Sequence, residues 1–252
     1  MEIIRCQNNM DALRRAGNVI NLSFESCEPS PALFLVSGGS AFHLLKGINI
    51  GHFGARITIS VLDERYSPDI SASNFLSLQS SSFYLQAQQA GAVFLHPWGG
   101  KTNDVIAEEW RQGKVLEGLQ ESVRSYESEL RAWKEAHPDG KIFATQGIGN
   151  DGHTAGILPY PENPALFHKI FEDGEKWVAG YDTTPQKSLT PLRITLRLPF
   201  LRNEIHQSIV YVAGEDKRIA LERVLQDSGS LAETPARILR EMKDARIFTD
   251  IA

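Results

Sequence analysis

Residues 146–159, Gln-Gly-Ile-Gly-Asn-Asp-Gly-His-Thr-Ala-Gly-Ile-Leu-Pro, hold a carboxylate and an imidazole two positions apart. These are Asp151 and His153, and closely spaced glycines surround them. An imidazole held by a neighbouring carboxylate can act as a general base near neutral pH. Glycine adopts backbone angles closed to other residues and lets a ligand approach the main chain. The segment therefore predicts a catalytic or binding turn centred on His153.

Two other interpretations of this turn compete with a catalytic one. The spacing Gly147-x-Gly149-x-x-Gly152 matches the dinucleotide-binding fingerprint, which requires a helix that starts at the third glycine. Three prolines between positions 159 and 164 follow instead, and no long apolar period is present, so we disfavour a nicotinamide site. The remaining interpretation is a tight turn in which the imidazole only packs or caps. The strand-like run 142–145 that leads into the glycines makes that interpretation less favoured.

A second strand-like run, residues 32–36, leads into a loop of small residues. Residues 41–46 after the loop have the pattern of a helix. A strand, a small-residue loop and a helix direct backbone N–H groups at an anion, although an ordinary connection has the same pattern. The loop lacks the Gly-Lys-Ser/Thr ending of a Walker motif. Its four residues are Ser37, Gly38, Gly39 and Ser40.

Charged residues follow two further predicted strands. Residues 56–62 end at Asp63-Glu64-Arg65, and in a parallel sheet the carboxyl edge of the strands is where ligands bind. A solvated surface turn is the alternative there. Residues 208–213 precede Lys217, which lies beside the start of a predicted helix over 218–226. A lysine beside a helix N-terminus can bind phosphate, but the local residues alone favour a solvated side chain.

Residues 147–155, Gly-Ile-Gly-Asn-Asp-Gly-His-Thr-Ala, resemble the signature of 6-phosphogluconolactonases and, more distantly, that of glucosamine-6-phosphate deaminases. Four more blocks resemble this family in its order, at 37–40, 63–68, 193–199 and 214–217. Ala41 and Phe42 replace the usual Thr-Pro of the first block, which removes one hydroxyl, and Gly156 replaces a Ser. Deaminases continue after the His with Ile-Ala-Phe-Asn-Glu-Pro, and the absence of that Glu here favours a lactonase.

The resemblance implies hydrolysis of 6-phosphoglucono-1,5-lactone, a small anionic phosphosugar, to 6-phosphogluconate in the oxidative pentose phosphate pathway, without a metal or organic cofactor. His153 is the expected general base and Asp151 the residue that orients it. A glucosamine-6-phosphate deaminase or isomerase, with Asp63 as base, is the alternative enzyme. A non-catalytic sugar-phosphate binder is the other alternative. The expected substrate-binding residues are Ser37, Gly38, Gly39, Ser40, Asp63, Arg65, Gly149, Asn150, Arg193 and Lys217, with the phosphate on Arg65 and Lys217.

Buried strand-like runs alternate with helical stretches along the chain, such as residues 8–24 and 104–136, the latter with a break near Gly113 or Gly118. Such alternation predicts an α/β fold with three layers, a largely parallel sheet flanked by helices. The resemblance implies the Rossmann-like sugar-phosphate isomerase/lactonase type. We expect a single domain over residues 1–252.

The composition excludes several partners. The 252 residues are 42% hydrophobic and carry a formal net charge of -5, so non-specific nucleic-acid binding is not expected. No apolar run reaches membrane-spanning length, and the polar N-terminus is unlike a signal peptide. Two cysteines, Cys6 and Cys27, fit reduced thiols in a cytoplasmic protein. The sequence does not distinguish a monomer from a homodimer.

Overall fold

The computed structural model describes residues 1–184 and 190–252, and its centre is a seven-stranded sheet in which every neighbouring pair is parallel. Strands and helices are numbered along the chain. In spatial order the strands are β1 (Glu2–Arg5), β10 (Ala245–Thr249), β9 (Gln207–Val212), β6 (Lys141–Gly147), β2 (Ala32–Val36), β3 (Ile57–Val61) and β5 (Val93–Phe94).

Eight α-helices accompany the strands within the described ranges. They are α1 (Asn9–Ser26), α2 (Asn74–Gln79), α3 (Ser82–Gln89), α4 (Asn103–Arg111), α5 (Val115–Ala136), α6 (Pro164–Phe171), α7 (Leu198–Asn203) and α8 (Arg218–Leu225). Short 3-10 helices supplement them, including Gly39–Gly47 after β2 and Glu215–Lys217 before α8.

Strand β2 shows why the central sheet is the middle of three layers. All five of its residues are buried, and alternate side chains enter different hydrophobic clusters. Leu33 and Leu35 pack into the cluster that contains the buried stripe of α5, whereas Phe34 and Val36 pack into the cluster that contains α1. Side chains along a strand point alternately to opposite faces, so both faces of the sheet are covered. The predicted three-layer α/β fold is confirmed.

A second, antiparallel sheet lies outside this prediction. Its strands, in spatial order, are β4 (Asp63–Arg65), β8 (Leu192–Leu196) and β7 (Val178–Asp182). Asp63 pairs with Thr195, and Arg65 pairs with Arg193. No local pattern predicts β4, because a three-residue Asp-Glu-Arg segment has low strand propensity and pairs with a distant part of the chain.

Local sequence patterns predicted most of these helices, but the observed helix ends and types differ in places. The cap of α1 is Asn8, whose Oδ1 accepts the N–H of Asp11 at 2.9 Å. The predicted break in 104–136 occurs around Gly113, between α4 and α5. Residues 41–46 belong to a 3-10 helix rather than an α-helix, and it starts earlier, at Gly39. No helix follows Gly152 until α6 begins at Pro164, as the prolines predicted.

The chain order of the strands places a crevice between β2 and β6. From β2 the sheet is built outward through β3 and β5, whereas from β6 it is built in the other direction through β9 and β10. The connections leave neighbouring strands in opposite directions there, and such a switch point opens a crevice at the carboxyl ends of the strands. The loops after β2 and β6 therefore border a binding site formed by the topology itself.

Two further expectations concern the cysteines and the question whether any helix could cross a membrane. Cys6 and Cys27 are both free thiols, as expected. Across residues 1–184 and 190–252, no helix combines the length and apolar character needed to cross a membrane.

His206, between α7 and β9, makes the stability of the folded protein depend on pH. Its Nδ1 accepts the backbone N–H of Ile142 at 3.0 Å, which requires an unprotonated nitrogen at that position. Burial, together with the charges of nearby lysines such as Lys141, lowers the pKa of His206 to about 4. At pH values between about 4 and the ordinary pKa near 6.5, His206 binds a proton in the unfolded chain but not in the folded one. Stability is therefore lost as the pH falls through that window.

We expect His206→Asn to weaken this pH dependence, because the Asn Oδ1 still accepts a hydrogen bond but does not titrate. Between pH 7 and pH 5 the wild type should lose about 1–2 kcal/mol more unfolding free energy than the variant. Urea unfolding at the two pH values measures this difference. His168→Asn, at an exposed position on α6, is the matched control. Equal losses in the wild type and His206→Asn would contradict the assignment.

Candidate active site

A cleft of about 230 Å³ opens at the predicted crevice. It is bordered by the loops after β2 and β6, by β4 and β8 of the second sheet, and by the segment before α8. Every residue predicted to bind substrate or to act in catalysis lines it, apart from Asn150 and Asp151. The lining residues are Ser37, Gly38, Gly39, Ser40, Asp63, Arg65, Asn74, Gly147, Ile148, Gly149, His153, Thr154, Ala155, Gly156, Arg193 and Lys217.

The turn after β6 is closed by its own backbone. The N–H of Gly149 donates to the carbonyl of His153 at 2.9 Å, and the N–H of Gly152 donates to the carbonyl of Gly149 at 2.9 Å. Gly152 has φ +91°, which favours glycine. A Cβ on Gly149 would lie 2.1 Å from the His153 ring. The imidazole therefore packs directly on the Gly149 backbone, and a side chain at 149 would displace it.

Hydroxyl groups hold the carbonyls on the far side of the turn. Thr154 Oγ1 donates to the carbonyl of Gly147 at 2.8 Å. Two donors come from the second sheet: Thr195 bonds the carbonyl of Ala155, and Tyr181 bonds the carbonyl of Gly156. Ala155 has φ +48°, an unfavourable value for a residue with a Cβ. These contacts stabilise that conformation and fix the turn against the small sheet.

Asp151 and His153 form the pair that their spacing suggested. His153 Nδ1–H donates to Asp151 Oδ1 at 2.6 Å, and the same oxygen accepts the backbone N–H of His153 at 3.1 Å. Burial opposes ionisation of Asp151, but its hydrogen bonds with His153 and the attraction of that ring lower its pKa overall. The bond occupies Nδ1, so Nε2 is the ring nitrogen that can take a proton at the cleft. Asp151 itself faces away from the cleft and lines a neighbouring surface pocket with Tyr160.

Three cationic side chains reach the cleft from separate elements. Arg65 on β4 donates to the side-chain oxygen of Asn74. Arg193 on β8 lies 3.8 Å from Asp63. Lys217 precedes α8, and its Nζ lies 4.0 Å from Asp216, a weak and half-solvated contact. Clustered cations of this kind match an anionic ligand, and the planar guanidinium groups suit a phosphate.

The loop after β2 brings backbone donors to the opposite side. The N–H of Ser37 is occupied, since it donates to Thr145 Oγ1 at 3.1 Å. No side chain caps the first turn of the 3-10 helix that begins at Gly39. A Cβ on Gly38 would lie 2.1 Å from Asn74 Oδ1, so glycine is required where the loop meets Asn74. Ala41 is fully buried in the core and does not itself line the cleft.

Arg193 and Arg197 separate, although strict strand alternation would put them on one side. Strand β8 ends at Leu196, and Arg197 already belongs to the turn that starts α7. Its guanidinium donates to backbone carbonyls around the end of α6, including that of Ile170 at 2.8 Å. Only Arg193 of the two lines the cleft.

Glu64, between the two predicted site residues of β4, was missed by the sequence analysis. Its side chain is fully buried, and its carboxylate accepts four hydrogen bonds. Burial raises the pKa of Glu64 to about 7, and these hydrogen bonds oppose the rise. Glutamate is rarely buried this completely. The sequence carried no signal for its burial, because three of the four donors come from the start of α2. The four donors are the backbone N–H groups of Arg65, Asn74 and Phe75 and the hydroxyl of Ser73.

Metal ligands do not gather in this cleft or elsewhere among the described residues. No group of three or more His, Cys, Asp or Glu side chains in residues 1–184 and 190–252 has the proximity needed to hold an ion.

Comparison with known proteins agrees with these features. The family described as glucosamine-6-phosphate isomerases/6-phosphogluconolactonase matches residues 13–248. The chain belongs to this family. A curated relative from Borreliella burgdorferi, named 6-phosphogluconolactonase, is 30% identical over 111 residues, which is 43% of this chain and 42% of that protein. The match therefore spans less than half of that relative.

Solved structures of the family share the fold. A 6-phosphogluconolactonase from Leishmania guyanensis superposes with a TM-score of 0.70 at 20% identity, covering 98% of this chain and 95% of that one. A monomeric glucosamine-6-phosphate deaminase superposes with a TM-score of 0.69 at 17% identity, covering 99% and 97%. Fold similarity alone therefore does not separate the two activities within the family.

Gly156 departs from the Ser of the lactonase pattern for a steric reason. It has φ +70°, and a Cβ there would lie 2.5 Å from the Cβ of Asp63. Any side chain at 156 must displace Asp63 from the cleft wall. In this member of the family, glycine is what lets the turn after β6 contact β4 so closely.

We expect Gly156→Ala to destabilise the protein more than Gly113→Ala does. Gly113 also has φ +70°, but nothing lies within 4 Å of its added Cβ. Gly113→Ala therefore isolates the backbone cost, about 1 kcal/mol, and Gly156→Ala should cost at least about 2 kcal/mol more because of the collision with Asp63. Urea unfolding of both variants measures the difference. Equal costs would show that Asp63 moves aside freely.

Proposed function

We propose that this protein hydrolyses 6-phosphoglucono-1,5-lactone to 6-phosphogluconate. The observation that carries the proposal is the His153–Asp151 pair at a cleft that also holds Arg65, Arg193 and Lys217. A general base next to cationic side chains suits a substrate with a reactive carbonyl at one end and a phosphate at the other. The family of the chain and the name of its Borreliella burgdorferi relative support the same activity.

His153 acts as the base in the proposed first step. Its Nε2 removes a proton from water as the water oxygen bonds to the lactone carbonyl carbon. Asp151 holds Nδ1–H and stabilises the imidazolium that forms. The backbone N–H groups of Gly38 and Gly39 are proposed to stabilise the oxyanion, because the first turn of that 3-10 helix has no side-chain cap.

The second step breaks the bond between the carbonyl carbon and the ring oxygen. The imidazolium of His153 returns the proton to the departing ring oxygen, which becomes a hydroxyl, and the new carboxylic acid then ionises in solution. Water supplies both the added hydroxyl and the proton, so the proposed reaction requires neither a metal nor an organic cofactor. An ester of this kind is reactive enough that no covalent nucleophile is needed.

The phosphate is proposed to bind Arg65 and Lys217, with Arg193 as the third cation. Arg65 is fixed by Asn74, so its guanidinium is held in place before substrate arrives. Among the described residues, the ion pair of Lys217 is a long contact of 4.0 Å with Asp216, so its ammonium can turn to the ligand. Ser37 and Ser40 also line the cleft and provide hydroxyls there. Asn150 is exposed outside the cleft lining, so any substrate contact of Asn150 requires a movement of the turn.

Asp63 supports a second candidate, deamination or isomerisation of an amino-sugar phosphate. It is buried, lines the cleft and lies beside Arg193, where a base that moves a sugar proton could act. The lack of a Glu after His153 favours the lactonase. Ammonia release from glucosamine 6-phosphate distinguishes the deaminase, and tight phosphosugar binding without turnover distinguishes a non-catalytic binder.

We expect His153→Ala to lower kcat by about a hundred- to ten-thousand-fold, because the general base is lost. A coupled assay with freshly generated lactone, corrected for spontaneous hydrolysis, measures it. His168→Ala, at an exposed position on α6, is the matched control and should keep the activity of the wild type. Wild-type turnover by His153→Ala would remove His153 from the mechanism.

Arg65→Ala and Lys217→Ala should mainly raise KM, by about ten- to a hundred-fold each, since a charge-assisted contact to phosphate is lost in ground and transition states alike. Steady-state kinetics on the same lactone separate KM from kcat. Lys46→Ala, which removes an exposed cation outside the cleft, is the control. An unchanged KM in both cleft variants would refute their assignment to the phosphate.

A further inference from the structure

We propose that Glu64 is a positioning residue that fixes Arg65 and Asn74 for anion binding; this inference deepens the proposed function and rests on its phosphate site. Glu64 lies on β4 with its side chain buried under the cleft wall, and it does not line the cleft. Glu64 therefore affects ligand binding through the residues that it contacts.

One carboxylate oxygen joins the two residues that meet at the cleft. Glu64 Oε1 accepts the backbone N–H of Arg65 at 2.7 Å and that of Asn74 at 2.8 Å. The side chains of the same two residues bond each other, Arg65 to the amide oxygen of Asn74. The result is a closed ring of hydrogen bonds, in which backbone and side chain of both residues are held at once.

The other oxygen anchors the start of α2. Glu64 Oε2 accepts the hydroxyl of Ser73 at 2.9 Å and the N–H of Phe75 at 2.7 Å. Ser73 is also the N-cap of α2 and accepts the N–H of Leu76. Negative charge near a helix N-terminus is favourable, so the carboxylate fixes where α2 begins. These contacts therefore also fix the position of Asn74, the first residue of α2.

A neutral amide cannot replace this carboxylate. Each oxygen of Glu64 accepts two donors, so an amide in either orientation would present its own N–H groups to two donors. Glu64→Gln therefore breaks one pair of bonds while keeping the size of the side chain. Loss of the pair on Oε1 frees Arg65 and Asn74 directly, and loss of the pair on Oε2 shifts α2 and Asn74 with it.

Asn74 also connects β4 with the loop after β2. Its side-chain nitrogen donates to the backbone carbonyl of Asp63 at 2.9 Å, and its oxygen lies against Gly38. A displaced Asn74 therefore releases the guanidinium of Arg65. Such a change acts on ligand affinity, which separates a positioning role from simple support of the fold.

The test is isothermal titration calorimetry with inorganic phosphate, at a pH of about 8, above the pKa of Glu64. We expect Glu64→Gln and Arg65→Ala each to weaken phosphate binding by about tenfold or more, as loss of a charge-assisted contact does. Glu109→Gln is the matched control. Glu109 accepts hydrogen bonds from Tyr66 and Lys101 beside the same strand, but it lies outside the cleft lining. That variant should lower the unfolding midpoint and leave phosphate affinity unchanged.

The kinetic readout separates positioning from loss of folded protein. With 6-phosphoglucono-1,5-lactone, Glu64→Gln should raise KM by about tenfold with kcat within about threefold of wild type. A fall in kcat at unchanged KM and unchanged phosphate affinity would mean that Glu64 only supports the fold, and would overturn the proposal. If Glu64→Gln does not fold, Ser73→Ala removes one of the four donors, and phosphate binding about two- to threefold weaker is expected. Unchanged affinity in folded Ser73→Ala would then overturn it.

Failure of the proposed function gives a different pattern. If the wild type does not turn over the lactone, the hydrolase proposal falls, yet phosphate binding that depends on both Arg65 and Glu64 still supports the positioning role. If Arg65→Ala binds phosphate as well as the wild type does, the phosphate assignment of Arg65 fails, and the positioning proposal fails with it.

Discussion

The parallel alignment of β2 and β6 is the constraint on which the site depends. Both strands end at the same edge of the sheet, and the chain leaves them in opposite directions. One end supplies backbone donors at Gly38 and Gly39, and the other supplies His153. The proposed oxyanion site and the proposed base lie on these two loops, and the topology of the sheet brings the loops together.

Close backbone approach then determines which residues can occupy the cleft. Gly38 meets Asn74, Gly149 meets the ring of His153, and Gly156 meets Asp63, each at a distance that admits no Cβ. The glycines therefore act mainly by making room, and only Gly156 of these three also uses a positive φ. A side chain added at any of these three positions would therefore displace its neighbour in the cleft wall.

The sequence was most informative where the signal was local. A run of buried residues such as Ala32–Val36 predicts a doubly covered strand from its own composition, and the spacing of Asp151 and His153 brings a carboxylate within hydrogen-bonding distance of the imidazole. Residues of the second sheet carried no comparable signal. Strand β4 exists because Asp63–Arg65 pairs with β8 far along the chain. The burial of Glu64 follows from that pairing and from the start of α2, so neighbouring residues in the sequence do not encode it. The exact end of β8, which separates Arg193 from Arg197, was equally inaccessible because alternation says nothing of where a strand stops.

The hydroxyls of Thr195 and Tyr181 tie the turn that carries His153 to the smaller sheet rather than to the larger one from which it emerges. Two anchors of this turn therefore belong to the antiparallel sheet, and the seven parallel strands do not supply them. Local opening of the smaller sheet would release Ala155 from its positive φ and shift His153 in the same turn, while the larger sheet stays folded.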